Sequence, residues 1–268
     1  MTGIQLMPRT MKLHYSEYGS GEPLIILHGF LGASGNWHTL SRKVFAEHFH
    51  VYTVDQRNHG RSPHDDRFDY ETMAEDLVVF MDEHGIDKAH VVGHSMGGKT
   101  AMYFASMYPE RTDRLVVVDM TPRRYDAQHN DILEALKRVD FDVHTTRDDI
   151  DGVLAETIEE VGTRMFLMKN LAIDRETKRF SWQMNLPVLD AQYDQLNEPL
   201  PKDARFEGPT LFIRGGRSNY IRDEDRDLIE HHFPNARVLT IKDAGHWVHA
   251  DQPAIFGESV VTYLQRED

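Results

Sequence analysis

The chain has 268 residues, 40% hydrophobic and 28% charged, a composition that suits a folded core and excludes extended disorder. Its 30 Lys and Arg against 44 Asp and Glu leave a formal net charge of −14, which weighs against nucleic acid or an anionic membrane as a partner. There is no cysteine, so disulfides, thiolate metal sites and a thiol nucleophile are excluded and the expected compartment is the cytoplasm.

Taken in chain order, MTGIQLMPRT reads as an edge strand and a loop, without the basic and apolar regions of a signal peptide. No window approaches the ~18 apolar residues of a membrane span. Lys12 to Tyr18 alternates as a strand. Leu24 to Leu27, Val51 to Val54, Ala89 to Val92, Leu115 to Val118, Thr210 to Ile213 and Arg237 to Ile241 are short runs closed by Gly, Asp or Arg-Gly. Runs apolar on both faces predict strands covered by helices on both sides, as in a parallel sheet. Between them, Tyr70 to His84 carries Met73, Leu77, Phe80 and Met81 at helical spacing and stops at Gly85. Met96 to Tyr108, closed by Pro109, and Ala254 to Leu264 are further helices. The alternation predicts an open, doubly wound α/β fold, whose sites lie at the carboxyl ends of the strands.

Residues 121–207 break this rhythm. They hold no convincing buried strand, but show helical patterns at Ile132, Leu133, Leu136, Val139 and at Ile150, Val153, Leu154, Ile158. Thr146-Arg147-Asp148-Asp149 has the form of a capping box for the second. The expected organisation is a core of residues 1–120 and 208–268, with a helical lid of residues 121–207 inserted before the penultimate strand. Charge does not mark this insertion out: residues 121–208 carry 18 acidic and 12 basic side chains.

The sharpest chemical signal is Gly93-His94-Ser95-Met96-Gly97, set between a strand and a helix. In that context G-x-S-x-G is a nucleophile elbow, whose tight turn demands almost no side chain at the two glycines. A serine hydroxyl needs a general base. His246, just after the last strand and before the last helix, is the candidate; His249 is its rival, with a structural role expected. The imidazole needs a carboxylate. At the loop after the first strand beyond the insertion, where many such enzymes carry an acid, stands Ser218. Asp119, at the tip of the strand after the elbow unit, is the preferred acid, with Asp223 and Asp225 as alternatives and Ser218 as a donor into the acid–histidine pair. The backbone N–H groups of Phe30 and Met96 are the expected oxyanion donors. Asp55, Arg57 and Ser62 are read as braces for the loop beside them. His28 and the lid residues Met165, Phe166, Met168, Trp182 and Met184 are candidates for the substrate pocket.

The motifs HGFLG, DQRNHGRS, VGHSMGGKTAM, VVVDMTP, GGRSNY and AGHWVHADQP together resemble the α/β-hydrolase fold, fold-1 type, over roughly Lys12 to Leu264. GGRSNY and Asn185-Leu186-Pro187-Val188-Leu189 narrow the resemblance to the YbfF-like carboxylesterases. What this implies is a mostly parallel sheet flanked by helices and hydrolysis of carboxylic esters with short to medium acyl chains, without a cofactor. It also implies Asp119 as the acid and Ser218 beside the histidine. The expected enzyme is a serine carboxylesterase acting through Ser95, His246 and Asp119 on a small-molecule ester, as a monomer or homodimer. The alternatives are the same machinery acting as a thioesterase, C–C bond hydrolase or perhydrolase, or a non-catalytic ligand-binding protein on this fold. Haloalkane dehalogenases and epoxide hydrolases need a carboxylate at the elbow, where this chain has Ser95.

Overall fold

Six strands of a seven-stranded sheet run parallel, in the computed structural model that describes residues 11–127 and 129–266. The reading of MTGIQLMPRT lies outside the described residues. The strands are β1 (Tyr15–Tyr18), β2 (Glu22–Leu27), β3 (Phe49–Val54), β4 (Ala89–His94) and β5 (Thr112–Val118). A small hairpin of β6 (Leu171–Ile173) and β7 (Phe180–Trp182) stands apart, and β8 (Thr210–Gly215) and β9 (Ala236–Ile241) complete the main sheet. The spatial order is β1-β3-β2-β4-β5-β8-β9, with only β1 antiparallel to its neighbour.

Successive residues of a strand point to opposite faces, and here both faces are apolar. Ile25, Leu27, Val91, Leu115, Val117 and Phe212 join a core on one side, and Leu24, Ile26, Val92, Val116, Val118 and Ile213 a second core on the other. The first is covered by α2 (Tyr70–Glu83), α3 (Met96–Met107) and α9 (Arg226–His232), the second by α1 (His38–Lys43), α10 (Val248–Asp251) and α11 (Pro253–Leu264) with Trp37. Helix α2 starts where the Asp69 side chain accepts the Thr72 N–H at 2.7 Å and ends at Gly85, whose φ is +63°. The apolar reading of the last strand needs correction. Four of the six residues of β9 are exposed, because it is the sheet edge and neither face is fully covered.

Strand order reverses between β2 and β4: β3 lies on one side of β2 and β4 on the other. The turns that leave these two strands therefore diverge and open a crevice at their carboxyl ends. Residues Phe30 and Ser95 stand there.

Between β5 and β8 the chain forms α4 (Asn130–Lys137), α5 (Arg147–Ala155), α6 (Val161–Leu167), the hairpin, α7 (Leu186–Ala191) and α8 (Tyr193–Leu196). Thr146 and Asp149 cap α5 reciprocally, Oγ1 accepting the Asp149 N–H at 3.1 Å and Oδ2 the Thr146 N–H at 3.0 Å. The hairpin is an addition to the sequence reading. Its turn is held by Asp174, whose Oδ1 accepts the N–H groups of Glu176 and Thr177, with Lys178 at φ +60°. The two ends of the segment are tied together. Leu200 N–H donates to Pro122 O and Tyr125 N–H to Asn197 O, while buried Lys99 of α3 donates to the carbonyls of Arg123 and Glu198. Among the described residues no helix is long and apolar enough to cross a membrane.

Candidate active site

Ser95 sits between β4 and α3 with φ 53° and ψ −118°, a conformation that costs a non-glycine residue ~1–3 kcal/mol and is held by its surroundings. Its N–H donates to Val118 O at 3.0 Å. The flanking glycines make this turn physically feasible. A Cβ at Gly97 would lie 2.5 Å from the backbone oxygens of Leu27 and His28, and one at Gly93 would collide with the Gly97 backbone.

Asp119 leaves β5 with φ 50° and is completely buried. Its N–H donates to Ile213 O at 2.8 Å, which turns the side chain toward the loop after β8. Oδ1 accepts the Gly215 N–H at 3.0 Å, and Oδ2 accepts the Ser218 hydroxyl. The same Oδ2 meets Nδ1 of His246 at 2.8 Å, and Nε2 of His246 meets Ser95 Oγ at 3.0 Å. With Nδ1–H donating to the carboxylate, Nε2 faces the serine as an acceptor. This fixes why a serine occupies position 218. A second carboxylate there would face Asp119 at hydrogen-bond distance, and like charges so close cannot both stay ionised.

The alternative acids lie elsewhere. Asp223 is exposed and pairs with Arg214 at 2.6 Å; Asp225 pairs with Arg123 at 3.2 Å and accepts the Arg222 N–H. The rival base, His249, is stacked on Trp37 with ring centroids 4.2 Å apart, and burial pushes its pKa down to about 3.

Phe30 and Met96 line the same cavity as Ser95. Among the described residues neither backbone N–H is taken up by an acceptor in the protein. The loop carrying Phe30 is propped from beneath by two neutral imidazoles. His28 Nε2 accepts the Gln56 N–H at 3.0 Å and His59 Nε2 accepts the Leu31 N–H at 3.2 Å. Burial lowers the pKa of both, His59 to about 3, so each keeps a ring nitrogen free to accept. Asp55 accepts from the N–H groups of Ser34 and Arg61, Ser62 Oγ donates to Asp55 O, and Arg57 is bidentate on buried Asp76. These residues brace the loop and do not enter the cavity.

A small cavity opens to solvent above Ser95. Its wall is largely aromatic, with Phe30, Tyr70, Tyr125, Tyr193 and Tyr220, together with Met96, Met120, Leu196, Asn197 and His129. Among the described residues exposed Asp126 is its one carboxylate, and burial holds His129 near 4 and so uncharged. The sequence-derived pocket set is not brought here. His28 lies beneath the loop; Met165 is 64% exposed; Phe166 packs on Trp247; Trp182 packs on Phe141 and donates to Leu136 O; Met168 and Met184 are in the core. The physical reason is that apolar spacing marks a buried helix face without telling whether that face meets core or cavity. The actual wall residues cluster at two sequence signals, the loop just after β5 and the Ser218-Asn219-Tyr220 turn after β8, with Tyr193 and Leu196 added by α8.

Comparison with known proteins places this chain in a family. The family model for the alpha/beta hydrolase fold matches residues 22–161. Esterase YbfF of Escherichia coli K12 is 36% identical over 248 residues, covering 91% of this chain and 94% of the relative. The sn-1-specific diacylglycerol lipase ABHD11 of Danio rerio is 36% identical over 254 residues, 92% of this chain and 80% of the relative. A solved structure described as a marine microorganism esterase superposes with a TM-score of 0.92 at 39% identity, covering 95% of this chain and all of the other. The chain belongs to the α/β-hydrolase family, fold-1 type, among the YbfF-like carboxylic-ester hydrolases.

Proposed function

We propose that the chain is a serine carboxylesterase that cleaves esters of short to medium acyl chains, with residues 121–207 acting as a cap over the core of residues 1–120 and 208–268. The observation that carries it is the unbroken hydrogen-bond chain from Ser95 through His246 to Asp119, opening into an aromatic cavity. As Ser95 Oγ bonds to the ester carbonyl carbon, its proton passes to His246 Nε2. The carbonyl oxygen, now an anion, takes the N–H groups of Phe30 and Met96. Asp119 stabilises the imidazolium, with its other lone pairs held by Gly215 and Ser218. The C–O bond breaks, the Nε2 proton goes to the leaving alkoxide, and water repeats the sequence on the acyl-serine. The acyl group is read as uncharged, because among the described residues no Lys or Arg lines the cavity.

Ser95→Ala assayed on p-nitrophenyl acetate and butyrate tests the reading. The expected loss is about 10³-fold or more; activity within tenfold of wild type ends it. A fluorophosphonate probe separates enzyme from ligand-binding protein: Ser95 labels in the first case only. A panel of esters, an acyl thioester, a vinylogous diketone and a diacylglycerol separates ester hydrolysis from its alternatives on the same machinery. The diacylglycerol belongs there because of what the Danio rerio relative is named for.

A further inference from the structure

His246 makes hydrogen bonds in its ring plane, but its face is occupied as well. The ring of Tyr220 lies flat on it, centroids 3.8 Å apart and planes 18° from parallel. Tyr220 is itself fixed. Its carbonyl accepts the Tyr125 hydroxyl at 2.8 Å, its N–H donates to Ser218 Oγ at 3.2 Å, and the Tyr125 ring stacks with it at 5.3 Å. Since Ser218 also donates to Asp119, one short turn places both the ring over His246 and a donor to the carboxylate beside it. On another side His94 is tilted against His246 at 4.8 Å, its Nε2 bonded to the His246 carbonyl at 2.9 Å.

A neutral imidazole gains little electrostatic energy from an aromatic face, whereas an imidazolium is attracted to its negative quadrupole. The stack therefore favours the protonated form, which appears only as Ser95 gives up its proton, and such selectivity is what accelerates a step. The other groups around His246 leave this effect room to act. Asp119 is the counter-charge in the ring plane. Burial keeps His94 well below its ordinary range, His249 near 3 and His129 near 4, so these three remain uncharged around neutral pH. Burial pushes the Tyr220 phenol up, so it stays a neutral ring. The Arg123 guanidinium sits over Tyr125, one ring farther out.

We propose that Tyr220 is a positioning residue for His246, its ring face holding the imidazole between Ser95 and Asp119 and stabilising the imidazolium formed there. The proposal rests on the reading of His246 as the base of Ser95. In the full chain, Tyr220 is replaced by Phe, by a fluorinated phenylalanine whose ring face is electron-poor, and by Leu. The readout is kcat and KM for p-nitrophenyl butyrate across pH, with near-UV circular dichroism for folding. Tyr220→Phe keeps the acidic limb of kcat/KM where wild type has it. Tyr220→Leu moves that limb to lower pH by about half to one pH unit and cuts kcat roughly tenfold with less than threefold change in KM. The fluorinated ring, with nearly the volume of Phe, moves the limb part of the way. An acidic limb that stays in place in the fluorinated variant, or an effect of either replacement on KM alone, overturns the proposal; if the Leu variant does not fold, the fluorinated ring decides. Ser95→Ala run alongside keeps the two readings apart. Activity surviving there ends the serine mechanism, while activity lost there with an unmoved limb ends only the role of Tyr220.

Discussion

Ser95 and Asp119 stand at strand tips with φ of 53° and 50°, each anchored by a backbone bond to the neighbouring strand. Tyr125, His129 and Tyr193 enter the same cavity from a loop, the residue before α4 and the start of the short α8. The first pair is imposed by sheet topology: β4, β5 and β8 are adjacent, so the turns that leave them must converge. The second group depends on how several short helices dock over the sheet, which no single periodicity specifies. Rigid placement belongs to the residues that would do the chemistry, and adaptable placement to those that would choose the substrate.

The largest effect is expected at the carboxylate. Asp119→Asn keeps the shape but removes the charge beside His246, so kcat/KM for p-nitrophenyl butyrate should fall by about 10³-fold or more. Asp223→Asn, on an exposed side chain paired with Arg214, should stay within about twofold. The reverse ranking would overturn the assignment of the acid.

On the adaptable side the expected effects are smaller and concern selectivity. Leu196 is buried at the cavity wall. Leu196→Ala opens space without removing a side-chain hydrogen bond, so esters two or three methylenes longer should gain roughly 15- to 60-fold in kcat/KM relative to acetate, at ~0.8 kcal/mol per methylene. An unchanged acyl-chain profile would mean that other residues, and not Leu196, set the length.

How much of this the sequence discloses follows the same division. The elbow is legible because two glycines are sterically required around Ser95. Asp119 is legible because it follows an apolar run that reads as a strand, and His246 because it stands between the last strand and the last helix. The Thr146–Asp149 cap of α5 is legible because both of its bonds are local. The hairpin of β6 and β7 escapes because each strand has three residues, too few for alternation to stand out. Tyr220 lies inside a recognised motif, yet nothing in that motif says that its ring comes to rest on a histidine 26 positions later in the chain.

Burial of titratable groups gives a subtler test of the core side. His249 has an ordinary pKa of 6.5 that burial lowers to about 3, and its Nδ1 meets no hydrogen-bond partner among the described residues. As pH falls below about 6.5 the unfolded chain takes up a proton that the native state refuses. Stability therefore falls with pH across that window, by up to ~1.4 kcal/mol per pH unit for this residue. His249→Phe keeps an aromatic ring against Trp37 and removes the proton, so thermal unfolding followed from pH 6 to pH 4 should show a flatter decline than wild type. Parallel curves for the two proteins would mean that His249 takes its proton in the native state.

The smallest expected effect probes why helical spacing misplaces the pocket. Met165 and Phe166 are consecutive residues of α6, which has one fully buried residue, Leu167. Phe166 rests on Trp247 while Met165 points out, 64% exposed. A seven-residue helix has too few turns for its apolar residues to define one stripe, so some of them face water. Met165→Ser should then change unfolding stability by less than about 0.5 kcal/mol and leave the acyl-chain profile as it is. A shifted profile instead would mean that α6 reaches the substrate, and that the adaptable wall opposite the fixed strand-tip residues includes movement of residues 121–207.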